Sequence, residues 1–423
     1  MNRQIPKVTG LSAAEKITAL VLLAYPALMI SVQGGMNGAF IVMLLIAIGV
    51  LILRPAGLPQ IVRDRDTVLY LVAMASMSLA IMLSQTYHQH FSAHPYDPAS
   101  RLLLSVPVFI WLRHARFNIV AAVQYGIPLG AITGLLVGDT TGGRMRTPFL
   151  DPIHFGDFEL ILAVLSLASL DWVGRDKLPL RALKIAGFLA GAFATLQSGT
   201  LGAWVAIPFL LAVAIYYGVL RFSAKQSVIA VVIVLVAAVL AYQYSARVRW
   251  LIDTPLKREA AMLQGNLDTD LGVRLQLYKA ALLLISQNLW FGVGPEGFKE
   301  QMDGLQQSGM ISPKAAHAGH GEVHNEILSR AVEMGVPGFA AILLAYFVPF
   351  WLFARSVRSS FGAVRRAGLL GIFFVTGFLV FGLSLDVLNL TMAIAFYSFT
   401  VAVLLAACYN VHHGGHAAAR QPE

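Results

Sequence analysis

Charge and thiol are what this chain has least of. Asp, Glu, Lys and Arg make up 13% of its 423 residues, about half the share usual in a soluble domain, which excludes a solvated globular surface for most of the length. The single cysteine, Cys408, lies inside an apolar run, so no intrachain disulfide is possible and the redox compartment cannot be read from it. The first apolar run lacks a small-x-small cleavage site, which favours an uncleaved first helix over a signal peptide. No internal repeat or low-complexity segment stands out.

What fills the chain is hydrocarbon: 57% of residues are hydrophobic and the mean hydropathy is +0.70. Runs near the ~20 residues that cross a bilayer core predict spans at Ile17–Gln33, Ala39–Leu53, Val68–Leu83, Leu102–Leu112, Phe117–Val137 and Ile153–Val173. The second half adds Leu183–Leu196, Leu201–Leu220, Val228–Tyr244, Val336–Phe353, Ala367–Leu385 and Leu388–Cys408. The expectation is an all-α polytopic membrane protein of about twelve transmembrane helices.

Lys and Arg resist translocation, whereas acidic residues say little about orientation. With a cytoplasmic amino terminus, most of the 31 basic residues fall in tails and short loops on that side, among them Arg54, Arg63, Arg65, Arg175, Lys177, Arg181, Arg355, Arg358, Arg365 and Arg366. Short loops on the far side hold only Arg101, Arg144 and Arg146. The net charge of +9 is mostly this bias, so no nucleic-acid partner is expected. Residues 1–245 then hold spans one to nine, 246–335 a helical insert on the periplasmic side, 336–410 spans ten to twelve, and 411–423 a disordered cytoplasmic tail. Both termini face the cytoplasm.

The insert is too long for a structureless loop. It contains "DLGVRLQLYKAALLLISQN", a helix opened by Asp270 as N-cap and apolar at Val273, Leu277, Ala280 and Leu284. A Gly/Pro turn, "FGVGPEGF", follows. The stretch "GEVHNEILSRAVEMG" is helical by pattern and ends at Gly335 and Pro337. On that helix His324 shares a face with Ile327, Leu328 and Ala331, and Glu326 pairs with Arg330 four residues on.

The chemistry-bearing residues each admit a bland reading. His324 is either a proton-transfer group or a satisfied interfacial histidine; His317 and His320 are loop histidines, and the three together have a zinc-like spacing that lacks a nearby Cys or an H-E-x-x-H arrangement. Arg274, one turn before Tyr278, suits phosphate oxygens or pairs with Asp268 or Asp270. Arg144 and Arg146 break the positive-inside pattern, pointing to an anion or to lipid headgroups. His154, Asp157 and Glu159, at the outer mouth of span six, are either functional or paired with those arginines. "HQHFSAH", His88 to His94, reads as a loop and "HHGGH", His412 to His416, as tail.

Together these segments resemble the O-antigen ligase and polymerase family of bacterial inner-membrane glycosyltransferases. The carrying residues are "GVRLQLYKAALLLISQNLWFGVGPEGF", "HNEIL", "EMGVPGF", "SGTLGAW" and "DPIHFGD", over roughly residues 140–345. The resemblance implies a GT-C-like enzyme with a periplasmic site, working without metal, cofactor or nucleotide sugar. It would move a glycan from undecaprenyl pyrophosphate to a sugar hydroxyl of lipid A-core, with the membrane lipid around it and the protein as a monomer. His324 would be the base and Arg274 would hold the pyrophosphate, with Tyr278, Asn325, His154, Arg144 and Arg146 lining the substrates. Leu201 stands where the family pattern has a second arginine. Either Arg144 or Arg146 supplies that cation, or the chain turns over slowly; the second is the favoured expectation. An O-antigen polymerase, a protein O-oligosaccharyltransferase or a lipid-linked glycan transporter are the alternatives. A protease built on Ser198 lacks a G-x-S-G setting.

Overall fold

The computed structural model describes residues 12–53, 58–115, 117–219 and 265–410, with short pieces between 242 and 262. Among them the chain is helical, with two isolated bridges in the 139–150 loop as its only extended pairing. Helices α1 (Ala13–Ser31), α2 (Gly35–Leu53), α3 (Leu58–Arg63), α4 (Arg65–His88), α5 (Tyr96–His114), α6 (Ile119–Val137), α7 (Pro152–Ala168), α8 (Leu178–Ser198) and α9 (Leu201–Tyr216) precede the insert. The insert contributes α10 (Asp270–Gln287), α11 (Gly297–Glu300), α12 (Met302–Gln307) and α13 (Pro313–Gly319), and α14 (Glu326–Val357), α15 (Gly362–Gly382) and α16 (Thr391–Tyr409) close the bundle.

Eight of the described helices, α1, α2, α4, α6, α8, α14, α15 and α16, are long and apolar enough to cross a membrane. Helices α5, α7 and α9 occupy three more of the twelve expected positions. Of these, α7 and α9 have 17 and 16 residues, and α5 carries Asp97, Arg101 and Arg113. The expected run Val228–Tyr244 lies outside the described residues except for 242–244, as does the His412–His416 tail.

Helix α16 is the axis of the bundle, almost wholly buried among α2, α5 and α15. Phe158, Phe374, Phe378, Phe396 and Tyr397 interlock there, with ring centroids 4.8–6.1 Å apart, the spacing of offset and edge-on aromatic contacts. Helix α6 lies against α1 through Gly126 and Gly130, where an added Cβ would come within 2.6 Å of Leu23 O and of Pro26 Cβ. Small residues at this four-residue spacing allow such close backbone approach between membrane helices.

The loops sort onto two ends. At one, Arg113 pairs with Asp64, Arg355 and Tyr409 bind Asp66, and Trp172 Nε1 donates to Ala363 O; the basic residues of the short loops gather here. At the other, Ser84 Oγ donates to Phe291 O and Thr391 Oγ1 to Asp97, so the insert, the α4–α5 loop and the α15–α16 loop share that end. His88 closes α4 rather than belonging to the loop, and its Nε2 lies 3.0 Å from Gly292 O.

The insert has its own small core. Val273, Leu277, Ala280 and Leu284 of α10 are buried, as their spacing predicts, against Phe298, Met302, Ala315, Ala316 and Val332. Its cap differs from expectation: Thr269, not Asp270, is the N-cap, its hydroxyl accepting from Gly272 N–H at 3.0 Å. Threonine and aspartate are both good caps, and local backbone direction decides between neighbours.

The Gly/Pro turn and the start of α14 dock backbone to backbone. Val293 N–H donates to Val332 O, Gly294 N–H to Glu333 O and Val336 N–H to Leu289 O, at 2.9–3.0 Å. At Gly335 the backbone leaves the helix (φ 62°, ψ −146°), in a region L side chains rarely occupy, and a Cβ there would sit 2.5 Å from the Trp290 backbone. The predicted break at Gly335 is therefore real, although a second helical run continues directly to Val357.

Candidate active site

The stretch expected to carry His324 on a helix face does not do so. Helix α14 begins at Glu326, with Asn325 as N-cap, its Oδ1 accepting from Leu328 N–H at 3.1 Å. His324 precedes it with φ 62°. Left-handed backbone at a non-glycine residue is uncommon, although histidine tolerates it better than most, and such residues cluster at functional sites. The reason for the difference is the asparagine: its side chain satisfies the first orphan amides of the helix, so the residues before it are released from helical geometry.

Released, His324 is held from three sides. The Tyr278 hydroxyl of α10 lies 2.8 Å from His324 O and 3.1 Å from Leu383 O. The His324 Nδ1 lies 2.6 Å from Glu322 Oε1, close but not aligned as a hydrogen bond, and has no hydrogen-bond partner among the described residues. Glu322 in turn accepts from Asp386 N–H through Oε2, and Asn325 N–H donates to Asp386 Oδ1, both at 3.0 Å. Asn325 Nδ2 donates to Leu383 O at 3.3 Å. Nε2 of His324 has no hydrogen-bond partner among the described residues.

The α15–α16 loop is thus the hub of the site, and sequence reasoning missed it along with Glu322. One signal was present: Asp386, an ionisable residue between two long apolar runs. Burial, then the negative charges of Glu322 and Glu326, push the Asp386 carboxyl well above its ordinary range. Burial also acts to raise Glu322, but the His324 contact and the Asp386 amide outweigh it and hold Glu322 below its ordinary value. Burial raises the Tyr278 phenol, with the Arg274 charge acting in the opposite sense.

Arg274 lies one turn before Tyr278, roughly 6 Å along the helix axis, and is half-buried. It makes no hydrogen bond or ion pair among the described residues, so the expected alternative of pairing with Asp268 or Asp270 is not seen; Asp268 accepts from Ser312 instead. Glu326 does pair with Arg330, at 2.9 Å.

The segments "DPIHFGD" and "SGTLGAW" interlock. Thr200 Oγ1 donates to Pro152 O at 2.7 Å, Thr195 Oγ1 to Gly156 O at 3.2 Å, and a Cβ on Gly156 would strike Ser198 Oγ. Arg144 lies on that same turn: Nε donates to Ser198 O at 2.6 Å and Nη2 to Gly199 O at 3.3 Å. Leu201, the first residue of α9, is 52% exposed. Ser384 Oγ lies 3.2 Å from where a Cβ on Gly202 would be, which joins this turn to the α15–α16 loop and hence to His324.

The other expected contacts are not formed. His154 pairs with Asp151, the N-cap of α7. Asp157 and Glu159 are buried with no hydrogen-bond partner among the described residues, not paired with arginines. Arg146 is exposed and its backbone bridges to Asp139. His317 and His320 are exposed, His320 lying 3.0 Å from Asp303, and no three His, Cys, Asp or Glu side chains gather as metal ligands among the described residues. The sequence holds D-x-D triplets at 64–66 and 268–270, so metal independence rests on the family resemblance alone.

Helices long and apolar enough for many passes, with the polar insert gathered at one end, define the described residues as those of an all-helical polytopic membrane protein. Residues 186–343 match the family model described as O-antigen ligase. The match contains Leu201, Arg274, Tyr278, Glu322, His324 and Asn325 but not Arg144 or Asp386. The chain is also 23% identical over 293 residues, 65% of its length and 70% of the relative's, to a protein of Haemophilus influenzae described as uncharacterized.

Proposed function

We propose that the protein is a membrane glycosyltransferase of lipopolysaccharide assembly, transferring a glycan from undecaprenyl pyrophosphate to a sugar hydroxyl of lipid A-core at the periplasmic face of the bacterial inner membrane. The observation that carries this reading is that, within the family-matched region, one tyrosine links the helix of a guanidinium to a histidine, and neither the guanidinium nor the histidine Nε2 has a hydrogen-bond partner among the described residues. Arg274 and His324 are joined through Tyr278, which touches the backbone of the second from the helix of the first.

In this reading Nε2 of His324 takes the proton of the acceptor hydroxyl as its oxygen attacks the anomeric carbon. The bond from that carbon to the pyrophosphate oxygen breaks, and the leaving group departs with its added negative charge. A guanidinium fixed beside that oxygen stabilises the transition state more than the ground state, because the charge there grows during cleavage. Its planar fork matches two phosphate oxygens at once. Arg144, seated on the Ser198–Gly199 turn, puts a second cation near position 201.

Purified protein in lipid nanodiscs, given a defined undecaprenyl-pyrophosphate glycan and lipid A-core, should release the lipid pyrophosphate and form glycosylated lipid A-core. Product formed only on a second donor glycan would make the enzyme a polymerase, and product on a protein acceptor an oligosaccharyltransferase. Glycan that changes leaflet with no product would sink the enzyme reading in favour of a transporter.

A further inference from the structure

We propose that Glu322 is the positioning residue of this site, fixing the His324 ring through Nδ1 so that Nε2 is the atom presented to the acceptor; this rests on His324 being the base. Oε1 of Glu322 lies 2.6 Å from Nδ1, and that nitrogen is buried with no hydrogen-bond partner among the described residues. The carboxylate is not free to follow the ring. Its second oxygen is held by Asp386 N–H at 3.0 Å, from a loop more than sixty residues away, and Asp386 is itself tied to Asn325 N–H, the residue after the histidine.

Two further restraints meet the same ring from its backbone side. Tyr278 holds the His324 carbonyl, and the left-handed φ of 62° turns the residue out of the helix that begins two positions later. The groups facing Glu322 are therefore His324, the Asp386 amide, the carboxyls of Asp386 and Glu326 behind it, and His154 on α7.

The chemical consequence follows from the donor inventory of imidazole. A neutral ring carries one N–H, and which nitrogen bears it is set by the partner of the other. A carboxylate against Nδ1 assigns the proton there and leaves the Nε2 lone pair to accept. When Nε2 takes the acceptor's proton, the imidazolium forms beside a negative charge that is already in place and needs no reorganisation. His324 gains a proton, the acceptor oxygen loses one, and Glu322 keeps its charge throughout.

A merely structural role is the competing account, since Glu322 also satisfies the Asp386 amide. Glu322→Gln separates the two, because glutamine can still accept from that amide but carries no charge to match an imidazolium. In the full-length protein, Glu322→Gln should lower kcat by about ten- to a thousandfold, a part of the 10²–10⁴ that a general base contributes. KM for donor and acceptor should stay within about twofold, with the thermal midpoint unchanged, and Glu322→Asp should fall between Gln and wild type. A wild-type kcat in Glu322→Gln beside an inactive His324→Ala would overturn this inference and leave the base standing. A loss confined to KM or to the thermal midpoint would also overturn it. A wild-type rate in His324→Ala would remove the base, and Glu322 with it.

Discussion

The hydroxyl of Tyr278 lies 2.8 Å from the backbone carbonyl of His324, so the helix that carries Arg274 and the loop that carries the histidine are positioned by one contact. Tyr278→Phe removes that hydrogen bond but keeps the ring. A single hydrogen bond is worth about 0.5–1.5 kcal/mol net, so the protein should still fold while kcat drops about two- to tenfold. Steady-state kinetics of Tyr278→Phe at saturating donor would show it; an unchanged kcat would mean that the carbonyl contact does not set the geometry of the site.

His324→Ala should lose turnover by about 10²–10⁴-fold, with insertion and folding intact. His317→Ala and His320→Ala should be mild, because both side chains are exposed. Equal losses in all three variants, together with wild-type activity that chelators abolish and zinc restores, would replace the base with a metal site.

Arg274 has no hydrogen-bond or ion-pair partner among the described residues, so substitution should act on the donor rather than on the fold. Lys keeps the charge and loses the bidentate fork; Arg274→Lys should be impaired and Arg274→Ala more so, with the effect in donor KM or turnover before acceptor KM. Wild-type kinetics in Arg274→Ala would take it out of the site.

Leu201 is exposed at the first position of α9, so Leu201→Arg should be tolerated sterically. If the chain is slow for want of this cation, Leu201→Arg should raise activity several-fold, within the roughly ten- to hundredfold that a charge-assisted hydrogen bond of about 1.5–3 kcal/mol can contribute. A severe loss in Arg144→Ala, with no gain in Leu201→Arg, would show that the arginine on the Ser198–Gly199 carbonyls has taken over the role.

Asp386 gives stability a pH slope. Its folded pKa is raised above the ordinary 3.8 by burial first and then by Glu322 and Glu326, so the protonated form is favoured in the fold. Its contribution is fully present below the unfolded value and is lost as pH rises through the folded one. Glu322, depressed in the fold, has the opposite sign, but its window lies below its ordinary 4.5. Asp386→Asn keeps an acceptor for Asn325 N–H and removes the charge, so it should raise the thermal midpoint at pH 8 more than at pH 5. Parallel unfolding curves at the two values, wild type against variant, would contradict this.

Read along the chain, much of the local structure is already determined. The long apolar runs specify membrane helices, the 3.6-residue pattern of α10 specifies its buried face, Glu326 and Arg330 pair four residues apart as a helix requires, and Gly335 marks a break. These depend on neighbours a few residues away, where spacing and side-chain type suffice. The site is different. That His324 lies outside the helix, turned into left-handed backbone, depends on Asn325 taking the cap; that its ring meets Glu322 depends on Asp386 holding the carboxylate from the α15–α16 loop; that Arg144 sits on the Ser198–Gly199 turn depends on how the 139–150 loop folds over α8. The first is a local choice between neighbouring residues, while the other two join segments more than fifty residues apart in sequence, brought together only when the bundle packs around α16, and no periodicity along the chain encodes such a distance. The sequence by itself thus determined which residues could do the chemistry and in which kind of solvent they sit, while only the tertiary structure decided which of them meet.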